Sequence, residues 1–179
     1  MGYPRDRDLP HYTYGDYVQW EGRWELIHGI PYAMTPAPSL RHQQISQRIA
    51  CVLDATLAEC EHCLALLPVD WKIDEDTVVQ PDNLVICGKA KGAYLSKTPE
   101  LIFEILSKST AYKDKNTKFN LYEREGVRHY VIVDPKEQLA KVYMLHEGSY
   151  IKVMDATDES LEFDLGKCLI NLDFSRIWA

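Results

Sequence analysis

The chain has 179 residues, and its 20 Lys and Arg against 27 Asp and Glu give a formal charge of −7 at pH 7. Hydrophobic residues make up 46% of the chain and charged residues 26%, a mixture that excludes a largely disordered protein. The acidic balance also argues against a protein that coats nucleic acid by bulk positive charge. It does not exclude a nucleic-acid enzyme whose metal-binding groups are themselves carboxylates.

The length fits one domain of ordinary size, so we expect a loose arm over residues 1–11 and a single domain over 12–179. No run approaches the roughly 20 apolar residues that are needed to span a bilayer. The polar start, with Arg5 and Asp6 among its first residues, does not resemble a signal peptide. We therefore expect a cytoplasmic protein that does not act at a membrane.

Five cysteines are scattered along the chain: Cys51, Cys60, Cys63, Cys87 and Cys168. In a cytoplasmic protein we expect them to be reduced thiols. Cys60 and Cys63 have the spacing of half a zinc site, but no second CxxC or HxxxH half is visible and the other cysteines are distant in sequence. Structural zinc is therefore not expected.

The first elements are predicted from local signals. Thr13 and Asp16 have the spacing of a capping box, which predicts a short helix over about 13–20. Two β-rich runs flank His28-Gly29, which predicts a hairpin. Ser39 then precedes apolar residues at helical spacing, which predicts a long helix that begins there.

Short apolar runs bounded by Pro and Gly predict β-strands in the rest of the chain. They lie at 64–69, 71–73, 84–87, 101–106 and 130–133, followed by a β-meander at 139–145 and 150–154. Helical segments are expected at about 114–124, before Gly126, and at 173–178. The order predicts an α/β fold: a mixed central sheet flanked by helices, with an N-terminal β-hairpin and a C-terminal β-meander added.

Two acidic residues stand out against this framework. Glu104 lies inside the very apolar run 101–106, where a carboxylate is costly unless it is paired, protonated or bound to a metal. Asp82 follows Pro81 at the start of another apolar run. If the two strands are neighbours, both carboxylates converge at one end of the sheet and form an oxygen-rich site suited to Mg²⁺ or Mn²⁺. Alternatively, Asp82 begins a turn and Glu104 points to solvent.

An ordered set of motifs now resembles a known family. It contains Trp24–Gly29, Pro81-Asp82, Phe103–Ser107, Lys118…Leu121-Tyr122 and Tyr130–Pro135. These segments are similar to the Uma-type family of restriction endonucleases, and the resemblance covers roughly Tyr12 to Leu145. It implies a restriction-endonuclease-like core of the PD-(D/E)XK superfamily.

The resemblance also implies site residues. Asp82 and Glu104 match the two metal-binding acids, and Lys118 matches a catalytic lysine on the following helix, because Leu106 stands where the superfamily usually has its lysine. Glu25 and His42 match supporting positions. The alternative for Lys118 is a salt bridge to Asp114 on a solvated helix face. The alternative for Glu25 is a cross-strand pair in the hairpin, and the alternative for His42 is a helix-capping contact.

The predicted function is a Mg²⁺-dependent or Mn²⁺-dependent endonuclease that hydrolyses DNA. A homodimer is expected by analogy, because nucleases of this fold often pair to cut two strands. DNA would meet a local positive patch, which we predict at Lys108, Lys113, Lys115 and Lys118. Two alternatives remain open. One is a catalytically inactive nuclease-fold domain that binds nucleic acid or a protein partner; the other is a metal hydrolase of small phosphoesters.

Overall fold

The computed structural model describes residues 9–34 and 37–178, which form two compact units. The first unit combines the described residues before Pro38 with Asp70–Gln80 and Lys91–Lys97. The second combines Pro38–Val69, Pro81–Ala90 and the described residues from Thr98 onwards. The predicted arm falls mostly on residues 1–8, outside the described residues, and the single domain over 12–179 stays a prediction.

The helices and strands have the following bounds. They are α1 (Tyr14–Tyr17), β1 (Trp24–Ile27), β2 (Ile30–Ala33), α2 (Leu40–Thr56), β3 (Cys63–Leu66), β4 (Trp71–Asp74), β5 (Thr77–Val79), β6 (Asn83–Cys87), β7 (Leu101–Ile105), α3 (Lys118–Arg124), β8 (His129–Asp134), β9 (Leu139–His146), β10 (Ser149–Ala156), β11 (Ser160–Asp164), β12 (Leu169–Asp173) and α4 (Ser175–Trp178). A π-helical turn, Lys113–Thr117, precedes α3. No helix in the described part of the chain is long and apolar enough to cross a membrane.

The first unit contains a four-stranded sheet in the order β2-β1-β5-β4. Asp16 accepts a hydrogen bond from the backbone N–H of Thr13 at 2.8 Å, as the predicted capping box requires. The predicted hairpin is β1-β2, and His28 and Gly29 in its turn both have positive φ. The hairpin is part of a larger sheet rather than a separate addition, because β5 pairs with β1 and with β4.

The second unit contains the central sheet, in the order β10-β9-β8-β7-β6-β3. It is mixed, as predicted: β7 and β8 are parallel, whereas the other pairs are antiparallel. The first and third residues of β7, Leu101 and Phe103, pack in one core cluster with Ile45 and Ile49 of α2. Alternate residues of a strand point to opposite faces, so Glu104 points away from this cluster.

The last part of the chain differs from the predicted meander. β9 and β10 extend the central sheet, but β11 and β12 form a separate antiparallel hairpin that the sequence analysis missed. Phe163 and Leu172 of this hairpin are fully buried in the core cluster. The predicted last helical turn is present as α4.

The structure corrects the prediction for the cysteines. Cys60 is joined to Cys168 and Cys63 to Cys87 as disulfides, while Cys51 is free and exposed. These partners are separated by 108 and 24 residues in sequence. The fold brings them together, because β3 lies beside β6 and the β11-β12 turn carries Cys168.

Candidate active site

Asp82 and Glu104 lie at the same end of two neighbouring strands. β6 pairs with β7 with Asn83 opposite Phe103, and continuing this register by one residue places Asp82 opposite Glu104. Residues opposite each other in an antiparallel pair share one face of the sheet. In addition, Asp82 Oδ2 accepts a hydrogen bond from the backbone N–H of Ile105 at 2.8 Å. The two strands are therefore neighbours, as the convergence of the two acids requires.

Glu104 is held in a buried polar cluster. Its Oε1 accepts hydrogen bonds from Lys118 Nζ at 2.8 Å and from the Tyr122 hydroxyl at 2.7 Å. Glu104 and Lys118 are each only 2% exposed. A buried carboxylate is tolerated when a cation and further hydrogen bonds compensate its lost hydration. Tyr122 was not predicted as a site residue, although its spacing of four residues from Lys118 puts both side chains on the same face of the helix.

The start of α3 fixes the position of Lys118. The predicted helix over 114–124 begins as the π-helical turn, which hydrophobic periodicity cannot distinguish from α-helix. Asp114 Oδ1 lies 3.9 Å from Lys118 Nζ, and both side chains are buried. The alternative for Lys118 was a salt bridge to Asp114 on a solvated helix face. The two groups are close, but the helix face is buried, so the prediction of a solvated face is wrong. π-Helical turns often occur at functional sites.

Tyr130 closes the cluster from the neighbouring strand. Its hydroxyl donates a hydrogen bond to the backbone carbonyl oxygen of Asp114 at 2.8 Å. Complete burial, strengthened by the negative charge of Glu104, raises the pKa of Tyr130 well above its ordinary value. The hydroxyl therefore stays protonated and continues to hold the π-helical turn against β8.

The predicted positive patch is wrong for Lys118. This side chain is buried and paired with Glu104, so it does not contribute to an exposed basic surface. Lys108 and Lys115 are exposed and Lys113 is partly exposed. The reason is that Lys118 lies on the buried face of its helix, where its ammonium group donates to Glu104 and compensates the buried carboxylate.

His42 contacts Asp82 at the start of α2. Its backbone N–H donates to the hydroxyl of Ser39, the N-cap, at 3.2 Å. Its ring Nε2 lies 3.2 Å from Asp82 Oδ2, and the two side chains are 12% and 17% exposed. The backbone of His42 thus takes part in capping, whereas the ring is free to hold Asp82. The other ring nitrogen, Nδ1, is buried and makes no hydrogen bond within residues 9–34 and 37–178.

The His42–Asp82 contact makes the protein's stability dependent on pH. Burial lowers the pKa of His42, but the hydrogen bond and charge of Asp82 outweigh it, so the pKa is raised overall. A raised folded-state pKa contributes stability below the unfolded value of about 6.5, and this contribution is lost as pH rises through the folded pKa. We expect His42→Gln to destabilise the protein more at acidic than at alkaline pH.

Urea unfolding of the wild type and His42→Gln across a pH series measures this difference. His146→Gln, at an exposed position at the end of β9, is the matched control and should show a smaller pH dependence. A destabilisation by His42→Gln that stays constant from acidic to alkaline pH would contradict the prediction.

Glu25 belongs to the first unit. It is fully buried, lies opposite Tyr32 in the β1-β2 pair, and accepts a hydrogen bond from the backbone N–H of Gln80 at 2.9 Å. This bond lies within the first unit, whereas Asp82 belongs to the second. A direct role of Glu25 at the site stays a prediction.

Comparisons with known proteins identify the family and the fold. Residues 14–166 match the model of the Uma2 family, described as "Putative restriction endonuclease". A crystal structure described as "a putative nuclease belonging to DUF820", from Anabaena variabilis, aligns with a TM-score of 0.75 and 17% identity, covering 93% of this chain and 97% of that one. No curated protein matches the chain. The predicted restriction-endonuclease-like fold is thereby confirmed, and the chain belongs to the Uma2 family.

Proposed function

We propose that this protein is a metal-dependent endonuclease that hydrolyses phosphodiester bonds in DNA. The observation that carries the proposal is the β6-β7 register, which places Asp82 opposite Glu104 at one end of the central sheet, together with the hydrogen bond from Lys118 to Glu104. Two opposed carboxylates with an adjacent ammonium group are suited to hold a cation and a phosphate together. Membership of a family described as restriction endonucleases supports a nucleic acid as the substrate.

The residues at this end of the sheet fit a divalent cation. Asp82 uses Oδ2 for both of its contacts, and its Oδ1 makes no hydrogen bond within the described part of the chain. Asp82 and Glu104 would hold Mg²⁺ or Mn²⁺, both of which prefer carboxylate oxygens. When bound there, the cation supplies Lewis-acid activation of water and offsets negative charge on the phosphate.

The protein's own groups are already oriented for this reaction. The ring of His42 and the backbone N–H of Ile105 fix the carboxylate of Asp82. Glu104, fixed in turn by Tyr122, aims the ammonium group of Lys118. A pre-oriented positive group stabilises negative charge that develops in the transition state without reorganising at that moment. Lys118 therefore takes the role of phosphate or water positioning.

One observation favours the non-catalytic alternative. Glu104 is 2% exposed and its Oε1 already accepts two hydrogen bonds, which satisfies that oxygen without a metal. Under this alternative, the chain binds a nucleic acid or a protein through the same fold. Calorimetric titration with Mn²⁺ separates the two once circular dichroism has shown that Glu104→Gln is folded, because a catalytic site binds Mn²⁺ more weakly in that variant and an inactive one shows no difference.

DNA cleavage by the wild type and by Asp82→Ala tests the proposed function. With Mg²⁺ or Mn²⁺ present, we expect the wild type to cut DNA and Asp82→Ala to be slower by on the order of 10²-fold, the usual cost of removing one electrostatic contact of the reaction centre. Asp54→Ala, an exposed acid on α2, is the matched control and should cut like the wild type. Equal cleavage by the wild type and Asp82→Ala, or none by the wild type, would overturn the proposal.

We also propose that the enzyme acts as a homodimer, by analogy with nucleases of this fold, which often pair to cut two strands. Size-exclusion chromatography with light scattering measures this directly. Only a species at the chain mass of 20.7 kDa would contradict it.

A further inference from the structure

Four cysteines of the second unit meet at one place in the fold. Cys60 lies in the connection after α2, and Cys63 is the first residue of β3. Cys87 ends β6 directly opposite Cys63. Cys168 lies in the turn between β11 and β12, whose backbone is closed by the hydrogen bond from the Leu165 N–H to the Cys168 carbonyl at 2.9 Å. Three separate parts of the chain therefore contribute to one cluster of sulfur atoms.

The distances make this a single cluster rather than two remote pairs. The Sγ atoms of Cys60, Cys63 and Cys168 all lie within 4.8 Å of one another, and Cys87 is the direct partner of Cys63. A Zn²⁺ ion with Zn–S bonds of about 2.3 Å places its four sulfurs roughly 3.8 Å apart at the corners of a tetrahedron. Three of the four sulfurs are thus already near this spacing, and conversion to a tetrahedral site requires side-chain rotation that brings Cys87 Sγ to the other three.

We propose that, in its reduced form, the chain binds one Zn²⁺ through Cys60, Cys63, Cys87 and Cys168. Two molecules of a dithiol reductant supply the electrons and protons that convert both disulfides to four thiols. The thiols then release four protons as their sulfurs bind the metal. The two disulfides of the oxidised form and the metal site of the zinc-bound form would cross-link the same three parts of the chain.

The surroundings suit a structural rather than a catalytic metal. Cys63 and Cys87 are each 7% exposed, and Cys60 and Cys168 are partly buried against the core cluster. Four protein thiolates complete a tetrahedral zinc site and leave no position for a substrate. Cys60 and Cys63 have the spacing of a zinc half-site. Cys87 and Cys168, which are distant in sequence, supply the other two thiolates because the fold brings them near.

Cobalt titration of the full-length, reduced protein tests the proposal. Co²⁺ bound to four thiolates gives sulfur-to-metal charge-transfer and intense visible bands that carboxylate sites do not give. With a phosphine reductant present, we expect these bands to saturate at one Co²⁺ per chain and to be displaced by Zn²⁺. Asp82→Ala should give the same bands, which separates this site from the proposed catalytic metal.

The variants Cys60→Ser and Cys168→Ser are expected to lose the saturating bands, whereas Cys51→Ser, at the exposed free cysteine, should keep them. Circular dichroism checks that each variant is folded. The Co²⁺ titration of the reduced wild type does not depend on any variant. Absence of the thiolate bands in that sample, or bands that persist in a folded Cys168→Ser variant, would overturn the proposal.

Discussion

Replacing Lys118 with Met is expected to lower the free energy of unfolding by about 3–5 kcal/mol, the usual cost of removing one partner from a buried ion pair. Lys118 donates to Glu104 at 2.8 Å, and both residues are 2% exposed. The substitution keeps most of the side-chain volume but leaves the carboxylate of Glu104 buried without its cation. Urea denaturation measures the change.

Two further variants identify the cause of this loss. The double variant Glu104→Gln/Lys118→Met removes both charges and should recover most of the lost stability, because replacing a whole buried ion pair costs far less than breaking it. Lys115→Met changes an exposed lysine and should stay within about 0.5 kcal/mol of the wild type. A Lys118→Met variant as stable as Lys115→Met would show that the pair contributes little.

The fold was predictable where segments are long or strongly patterned. The apolar runs that became β6, β7 and β8 and the helix that begins after Ser39 carry enough residues for periodicity to identify them. β5 has three residues, too few to show a period. The β11-β12 hairpin does alternate, with Phe163 and Leu172 facing the core, and was missed although this signal was present.

The candidate site was only partly predictable from the sequence, and the reason differs from one residue to the next. Glu104 was predicted as a site residue from its position within an apolar strand alone, because burying an unpaired charge is costly. Its proximity to Asp82 depends on the register between β6 and β7, which one sequence does not determine. Lys118 came only from the family resemblance, because a lysine four residues from Asp114 looks like a surface salt bridge. The cysteine cluster was missed, because the contacts that form it are distant in sequence.

The ion pair that we propose as part of the active site is also buried, so single substitutions cannot separate a catalytic role from a role in folding. A single substitution of Glu104 or Lys118 removes a proposed catalytic group and also unbalances a buried charge. Loss of cleavage in a single variant is therefore compatible with simple unfolding. The double variant separates the two effects, because it is expected to be folded while lacking both the metal-binding carboxylate and the ammonium group.

We expect the folded Glu104→Gln/Lys118→Met variant to cleave DNA on the order of 10³-fold more slowly than the wild type, with little further loss beyond that of either single variant, because groups that act as a unit have non-additive effects. Single-turnover cleavage with saturating Mn²⁺ measures the rate, and circular dichroism confirms the fold. Lys167→Met, which removes an exposed lysine from the turn between β11 and β12, should cleave at the wild-type rate. A double variant that cleaves as fast as the wild type would assign the buried pair to folding alone and place the chemistry elsewhere.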